Sequence, residues 1–261
     1  MAFDATAVKA VNEIVLNAYS GIYPGLGGGE FTAYTSQNFL SYYAPVALLP
    51  ASSPYSTGPY LAGASTTGFE TLCIETGVEF TPGNWGNLTP YTYTLGYSSQ
   101  PPPPPNGSGN GLPLATGAAY LYYLFGTGNL PGFNYAYSSS GEAGSRMYDD
   151  NLLQAAIWAF QGQQSYSGYT VPSSNPSSPN YNPYYAYAIS VLGGLSNANS
   201  AYTGPDVEIL QLWSGTISCQ NQLVLTGNTP WSVPDAPRTA GLLGISLLGL
   251  ALFQLRRSKT T

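Results

Sequence analysis

Histidine is absent from the 261 residues, so the side chains left to do chemistry are carboxylates, tyrosines and two cysteines. That absence excludes Ser-His-Asp and Cys-His nucleophilic catalysis, imidazole acid–base work and nearly all zinc sites. Cys73 stands in Phe69-Glu70-Thr71-Leu72-Cys73-Ile74-Glu75, and Cys219 in Ser218-Cys219-Gln220-Asn221. Two cysteines in an exported chain most often pair, and a Cys73–Cys219 disulfide would close a long loop and stabilise by roughly 2 to 4 kcal/mol. Glu70, Glu75 and Glu79 do not read as a glycosidase pair, because strand alternation puts Glu70 and Glu75 on opposite faces. Asp149-Asp150-Asn151 lacks the alternating ligand spacing and following glycine of an EF-hand loop, so it reads as a helix start and not as a calcium site. The sequence therefore predicts no enzyme, no cofactor and no metal.

The elements that must position these residues follow from periodicity. Glu30 to Thr35, Phe69 to Thr76, Val78 to Thr81, Tyr91 to Gly96, Val207 to Trp213 and Gln222 to Leu225 read as strands bounded by Gly, Pro or Asn. Gly117 to Gly126 suits a short buried helix, with Tyr122 and Tyr123 as core residues. Asp149 to Gln161 is the best helix in the chain. Asp149 or Asp150 can cap its start, Leu152, Leu153, Ala156, Ile157 and Phe160 form one apolar stripe, and Gly162 ends it. A third, weaker helix is expected over Ala5 to Tyr19. Two loops interrupt the domain: Ser98 to Pro113, with five prolines in a row, and Pro172 to Pro183.

Only 7% of residues are charged, against roughly 25% in ordinary soluble proteins. Residues 1–233 hold Lys9 and Arg146 against eleven acids, and residues 234–261 hold Asp235 against Arg238, Arg256, Arg257 and Lys259. A body with a net charge of −9 presents no basic face, which argues against a nucleic-acid partner. With 23 Tyr, 31 Gly and 22 Pro, the composition reads as turn-rich, largely β and extracytoplasmic. Residues 240–255 form an uncharged apolar run, followed at once by Arg256 and Arg257. Its sixteen residues are just short of the roughly 17 to 25 that span a bilayer, but arginine stems can snorkel and a short span can thin the membrane. Arg256 and Arg257 then act as the membrane stop. Met1 to Ser20 has no cationic start and no apolar run of signal-peptide length, although an exported protein is expected to have one, so the start reads as truncated, misassigned or an expression boundary.

Val233-Pro234-Asp235, the apolar run and the basic pair together resemble the VPDSG-CTERM and PEP-CTERM sorting signals of bacteria with exosortase systems. Ala236 and Pro237 stand where that family usually has Ser-Gly. The resemblance implies export, membrane tethering and an exosortase-type processing enzyme as partner. A second resemblance covers the body. Phe69-Glu70-Thr71-Leu72-Cys73-Ile74-Glu75 and Leu152-Leu153-Gln154-Ala155-Ala156-Ile157-Trp158 are similar to the paired motifs of bacterial thioester domains, in which a strand cysteine is joined to a glutamine near a helix start. The resemblance implies a bond between Cys73 and Gln154. Gly28-Gly29-Glu30-Phe31, Ala119-Tyr120-Leu121-Tyr122 and Gln222-Leu223-Val224-Leu225 also recur in bodies that precede VPDSG-type tails. Gly28-Gly29-Glu30-Phe31 resembles the active-site loop of diguanylate cyclases too, but one acidic position is missing and no α/β pattern surrounds it.

Periodicity is compatible with the thioester without requiring it. Cys73 shares a strand face with Phe69, Thr71 and Glu75, and Gln154 and Trp158 sit together off the main apolar stripe of the helix. At a shared seam, Cys73 would attack the Gln154 carboxamide and expel ammonia, with Phe69 and Trp158 excluding water and Glu75 in a position to take the thiol proton. The alternatives at Cys73 stay open: a thioester, a disulfide to Cys219, or a thiol.

The expected fold is mainly β with one or two packed helices, an α+β, sandwich-like body, plus a C-terminal transmembrane helix. Its parts are an N-terminal segment (1–19), a β-rich extracytoplasmic domain (20–230), and a sorting motif, membrane helix and basic cytoplasmic tail (231–261). The expected function is adhesion or matrix attachment at the cell envelope, covalent to an amine-bearing surface through Cys73 and Gln154. The alternative is a non-covalent structural or polysaccharide-associated surface protein held by a disulfide.

Overall fold

The first strand runs through Ile14, Val15 and Leu16, three consecutive apolar residues that are all buried. The computed structural model describes residues 12–17, 30–49, 67–76, 90–99, 111–137, 142–163 and 170–231. The strands are β1 (Glu13–Asn17), β2 (Glu30–Thr35), β3 (Leu48–Leu49), β4 (Gly68–Leu72), β5 (Tyr91–Gly96), β6 (Val207–Ser214), β7 (Ile217–Ser218) and β8 (Gln222–Leu225). The helices, all between β5 and β6, are α1 (Thr116–Gly126), α2 (Arg146–Phe160), α3 (Pro183–Val191) and α4 (Leu195–Ala198). Short 3-10 turns at Leu40–Tyr42 and Pro45–Ala47 lead into β3.

The α+β class follows the sequence, but the sandwich and the helix count need correction. All eight strands belong to one antiparallel sheet, ordered β3-β4-β2-β1-β5-β6-β7, with β8 also on β6. The sheet curls until β8 meets the end of β4. There Cys73 bridges Gln222, Ile74 donates its N–H to Asn221 O at 3.2 Å, and the Thr71 hydroxyl donates to Leu223 O. Four α-helices are present among the described residues, where one or two were expected: α1 and α2 meet the sheet, and α3 and α4 pack on these two helices and on each other. Pro183–Val191 is helical because Asn182 caps it, its side chain accepting from Tyr185 N at 3.0 Å with Pro183 in the first turn.

The Ala5 to Tyr19 helix is also corrected. Within it, residues 13–17 form β1, because a run of Ile, Val and Leu buried between β2 and β5 satisfies its backbone in two ladders. The Val78 to Thr81 strand and the 240–255 membrane helix lie outside the described residues. Among the described residues, no helix is long and apolar enough to cross a membrane.

Helix α2 starts one turn earlier than the sequence suggests. Ser145 is its cap, accepting from Tyr148 N at 3.2 Å, while Asp149 accepts from Asn134 N at 2.8 Å. At the other end Gly162, at φ +66°, takes the left-handed conformation that closes the helix. Leu153, Ala156, Ile157 and Phe160 enter the main core as expected, and Leu152 is half-buried. Burial of this stripe contributes roughly 1.5–3 kcal/mol per large side chain. Gly117 lets α1 approach closely: a Cβ there would lie 2.8 Å from the Phe160 ring. A buried phenol relay then ties helix to sheet. Tyr122 Oη lies 2.7 Å from Tyr43 Oη and donates to Glu70 O at 2.8 Å, and Tyr43 Oη accepts from Leu225 N at 2.8 Å.

Candidate thioester site

The closure of the sheet places Cys73. It is the first residue past β4, bridged to the first residue of β8, and wholly buried. Gln154, at the middle of α2, meets it with both ends of its carboxamide. Oε1 accepts from Cys73 N at 3.0 Å, and Nε2 donates to Cys73 O at 2.7 Å. The sequence placed Gln154 near a helix start, where a glutamine is usually solvated, yet it lies mid-helix and is only 2% exposed. Cys73 packs with Phe31 and Trp158 in a small apolar cluster separate from the main core, with half-buried Ala155 against it.

The sequence-predicted residues are therefore partly united. Cys73, Gln154 and Trp158 come together. Phe69 does not join them: it stacks on Tyr43 at 5.0 Å between ring centroids and meets Phe39 edge-on at 5.8 Å, inside the main core. Phe31, from β2, takes the shielding place instead, a substitution that only strand pairing could reveal. Cys219 belongs to the main core, and neither cysteine is in a disulfide. Val233, Pro234, Asp235, Arg256 and Arg257 lie outside the described residues.

Glu75 has a different neighbour from the one expected. Its carboxylate accepts from Asn221 N at 2.9 Å and from Asn221 Nδ2 at 2.6 Å, and its carbonyl accepts from Gln220 Nε2 at 2.9 Å. Burial pushes its pKa up to about 7, against the pull of the two Asn221 hydrogen bonds. Burial likewise raises the Cys219 thiol. Gln222 was legible only as part of a recurrent motif, but its Nε2 lies 3.2 Å from Cys73 Sγ. Its Oε1 is buried with no hydrogen-bond partner among the described residues.

A second polar cluster fixes the helix over the site. Arg146 is fully buried, pairs with Glu30 through Nε (2.9 Å) and Nη2, and donates from Nη1 to Tyr135 O at 2.7 Å. Its guanidinium lies 4.0 Å from the Tyr137 ring centroid. Glu70 accepts from Thr32 Oγ1 at 3.0 Å, and Asp150 is buried against Glu30. One cation thus serves three buried carboxyls. Burial raises the pKa of Glu70 and of Asp150, with the Glu30 charge adding to it, while Arg146 overcomes the burial of Glu30 and leaves its pKa lowered. Among the described residues no donor reaches either Asp150 oxygen, so its contact with Glu30 is a hydrogen bond only when Asp150 holds a proton. Arg146, Asp150, Gln154 and Trp158 are spaced four apart, and all four engage β2 or the end of β4.

This arrangement can support acyl chemistry. The Gln154 carbonyl oxygen already accepts the Cys73 N–H, which polarises the carbon toward attack and would stabilise the oxyanion that forms. Trp158 and Phe31 keep the seam apolar. Among the described residues no group of three or more Cys, Asp or Glu is arranged to hold a metal ion. Compared with protein-family models, with curated proteins and with solved structures, the chain finds no match, so the reading of this site rests on its own geometry.

Proposed function

We propose that this is an exported bacterial surface protein, tethered by its C-terminal apolar segment, that attaches covalently to amine-bearing surfaces through a thioester between Cys73 and Gln154. The observation that carries this reading is the docking of the Gln154 carboxamide on Cys73 in a buried, apolar seam. In forming the bond, Cys73 Sγ adds to Gln154 Cδ, the C–N bond breaks, and the thiol proton leaves with the amide nitrogen as ammonia. An outside amine then adds to Cδ, the C–S bond breaks, and Cys73 recovers its proton. The chain itself is poor in competing amines. Lys9 and Lys259 are its only lysines, and the single basic residue among those described, Arg146, is buried. The sorting-signal resemblance of Val233-Pro234-Asp235 supports export and exosortase processing, and the apolar run with Arg256 and Arg257 supports the tether.

The test is intact mass. The wild-type body should be lighter than its sequence by one ammonia and should add one methylamine, and Cys73→Ala and Gln154→Ala should each abolish both signatures. A second reading has its own support, since the two Gln154 hydrogen bonds satisfy the Cys73 backbone and could act only to dock α2 on the sheet. Under that reading the protein is a non-covalent structural or polysaccharide-associated surface protein. Its wild-type mass is that of the sequence, and Gln154→Ala only lowers the melting temperature.

A further inference from the structure

Gln222 reaches the reacting atom from the side opposite in sequence to everything the motif pair names. It opens β8, its backbone pairs with Leu210 of β6 and bridges Cys73, and it is wholly buried. Its carboxamide is divided between two roles: Nε2 lies 3.2 Å from Cys73 Sγ, and Oε1 has no partner among the described residues. A buried acceptor left unsatisfied is costly, and a donor on sulfur favours the thiolate over the thiol. Neither feature is needed to close the sheet, because the backbone bridge and the Ile74 to Asn221 hydrogen bond already do so.

We propose that Gln222 is a catalytic residue of the thioester site, donating from Nε2 to the Cys73 sulfur and accepting at Oε1 the N–H of the nitrogen that leaves or enters. The proposal rests on the thioester reading and gives it a reaction path. Formation and opening are one reaction run in opposite directions: in the first the thiolate displaces ammonia from Gln154 Cδ, and in the second an amine displaces the thiolate from that carbon. In both, negative charge resides on sulfur at one end of the step, where Nε2 stabilises it, and positive charge gathers on nitrogen, where Oε1 accepts an N–H. A proton passes between sulfur and nitrogen, so atoms and charge balance with no other reactant. The substrate class is therefore an unhindered amine that still carries an N–H when it reaches the carbon.

The experiment compares full-length wild type with Gln222→Met, which keeps the volume and removes both polar ends. Intact mass follows ammonia loss after folding and methylamine addition afterwards, and a thermal melt checks the fold. Gln222→Met should slow both steps by a similar factor, at least about tenfold, the scale of one hydrogen bond to a charged atom. If Gln222→Met fails to fold, Gln222→Asn takes its place: it stays polar but draws the donor back from the sulfur by one methylene, and it should slow both steps in the same way. Rates within about twofold of wild type in a folded variant overturn the role of Gln222 while leaving the thioester intact. A wild type that never loses ammonia overturns the thioester itself, and this role with it.

Discussion

Two residues beyond Cys73, the Glu75 carboxylate is closed in by Asn221 and 8% exposed. Burial raises its pKa from 4.5 to about 7, so the folded protein keeps a proton there that the unfolded chain has released. The stabilisation from that proton is fully present below pH 4.5 and is lost as pH rises to about 7. A shift of this size corresponds to at most about 3 kcal/mol. Glu75→Gln should remove this dependence. Asn221 Oδ1 has no partner among the described residues, so the Asn221 amide can turn over and accept from the new side-chain amide while its backbone N–H keeps an acceptor. Urea midpoints at pH 5 and pH 7.5 should then differ less in Glu75→Gln than in wild type. Equal differences would mean that Glu75 titrates as an ordinary exposed carboxyl.

Helix α2 carries two faces with different tasks. Leu153, Ala156, Ile157 and Phe160 hold it on the main core, and Arg146, Asp150, Gln154 and Trp158 set where along β2 and β4 it lies. An apolar stripe alone tolerates sliding, whereas an ion pair between Arg146 and Glu30, both wholly buried, does not. Arg146→Met should cost about 3–5 kcal/mol, because it leaves the Glu30 charge buried without its partner. It should also reduce ammonia loss from any folded fraction, since Gln154 is two turns further along the same face. Asp150→Asn should act in the opposite direction. Its carboxyl is forced toward the neutral form by burial and by Glu30, so the amide should melt higher than wild type at pH 7, by an amount that shrinks toward pH 4. A melting difference that grows on acidification would show that Asp150 is ionised in the fold.

For the molecule as a whole, charge is divided between a body that is acidic and a tail that is basic, with residues 240–255 uncharged between them. The acidic body would draw cationic, amine-bearing surfaces toward it and offers few amines of its own to a thioester. Trp231, the last described residue, is seated among Tyr120, Tyr123 and Tyr202 with ring centroids 5.2–5.5 Å away, and Tyr123 Oη donates to Thr229 O at 2.8 Å. The domain is thus fastened up to the point where the tail begins. Deleting residues 241–261 should leave the melting temperature within a few degrees of wild type and move the protein from the membrane to the soluble fraction. Substituting Asp235 should change processing and leave membrane association as it is. Identical fractionation of truncated and full-length protein would defeat the tether.

The strands β2, β5 and β8, helix α1 and most of α2 were legible in the sequence, because alternation, helical spacing and Gly or Pro boundaries are local signals. The absence of histidine bounded the chemistry before any fold was known, and the Cys and Gln motifs named two of the residues that meet. Local signals could not separate a helix from a strand at Ile14-Val15-Leu16, where burial between two neighbours decides the matter. Nor could they show that the sheet curls back until β8 touches β4, since that pairing joins residues about 150 apart in the chain. From that closure come Asn221 on Glu75 and Gln222 on the sulfur, and from the pairing of β2 with β4 comes Phe31 in place of Phe69 against Cys73, contacts that the motifs containing Phe31 and Gln222 did not reveal. Asp150 looked like a helix start and Arg146 only like one of the two bases of residues 1–233, and only the tertiary structure made them a buried anchor, because a charge inside a protein is stable only where its partner is brought to it from elsewhere in the chain.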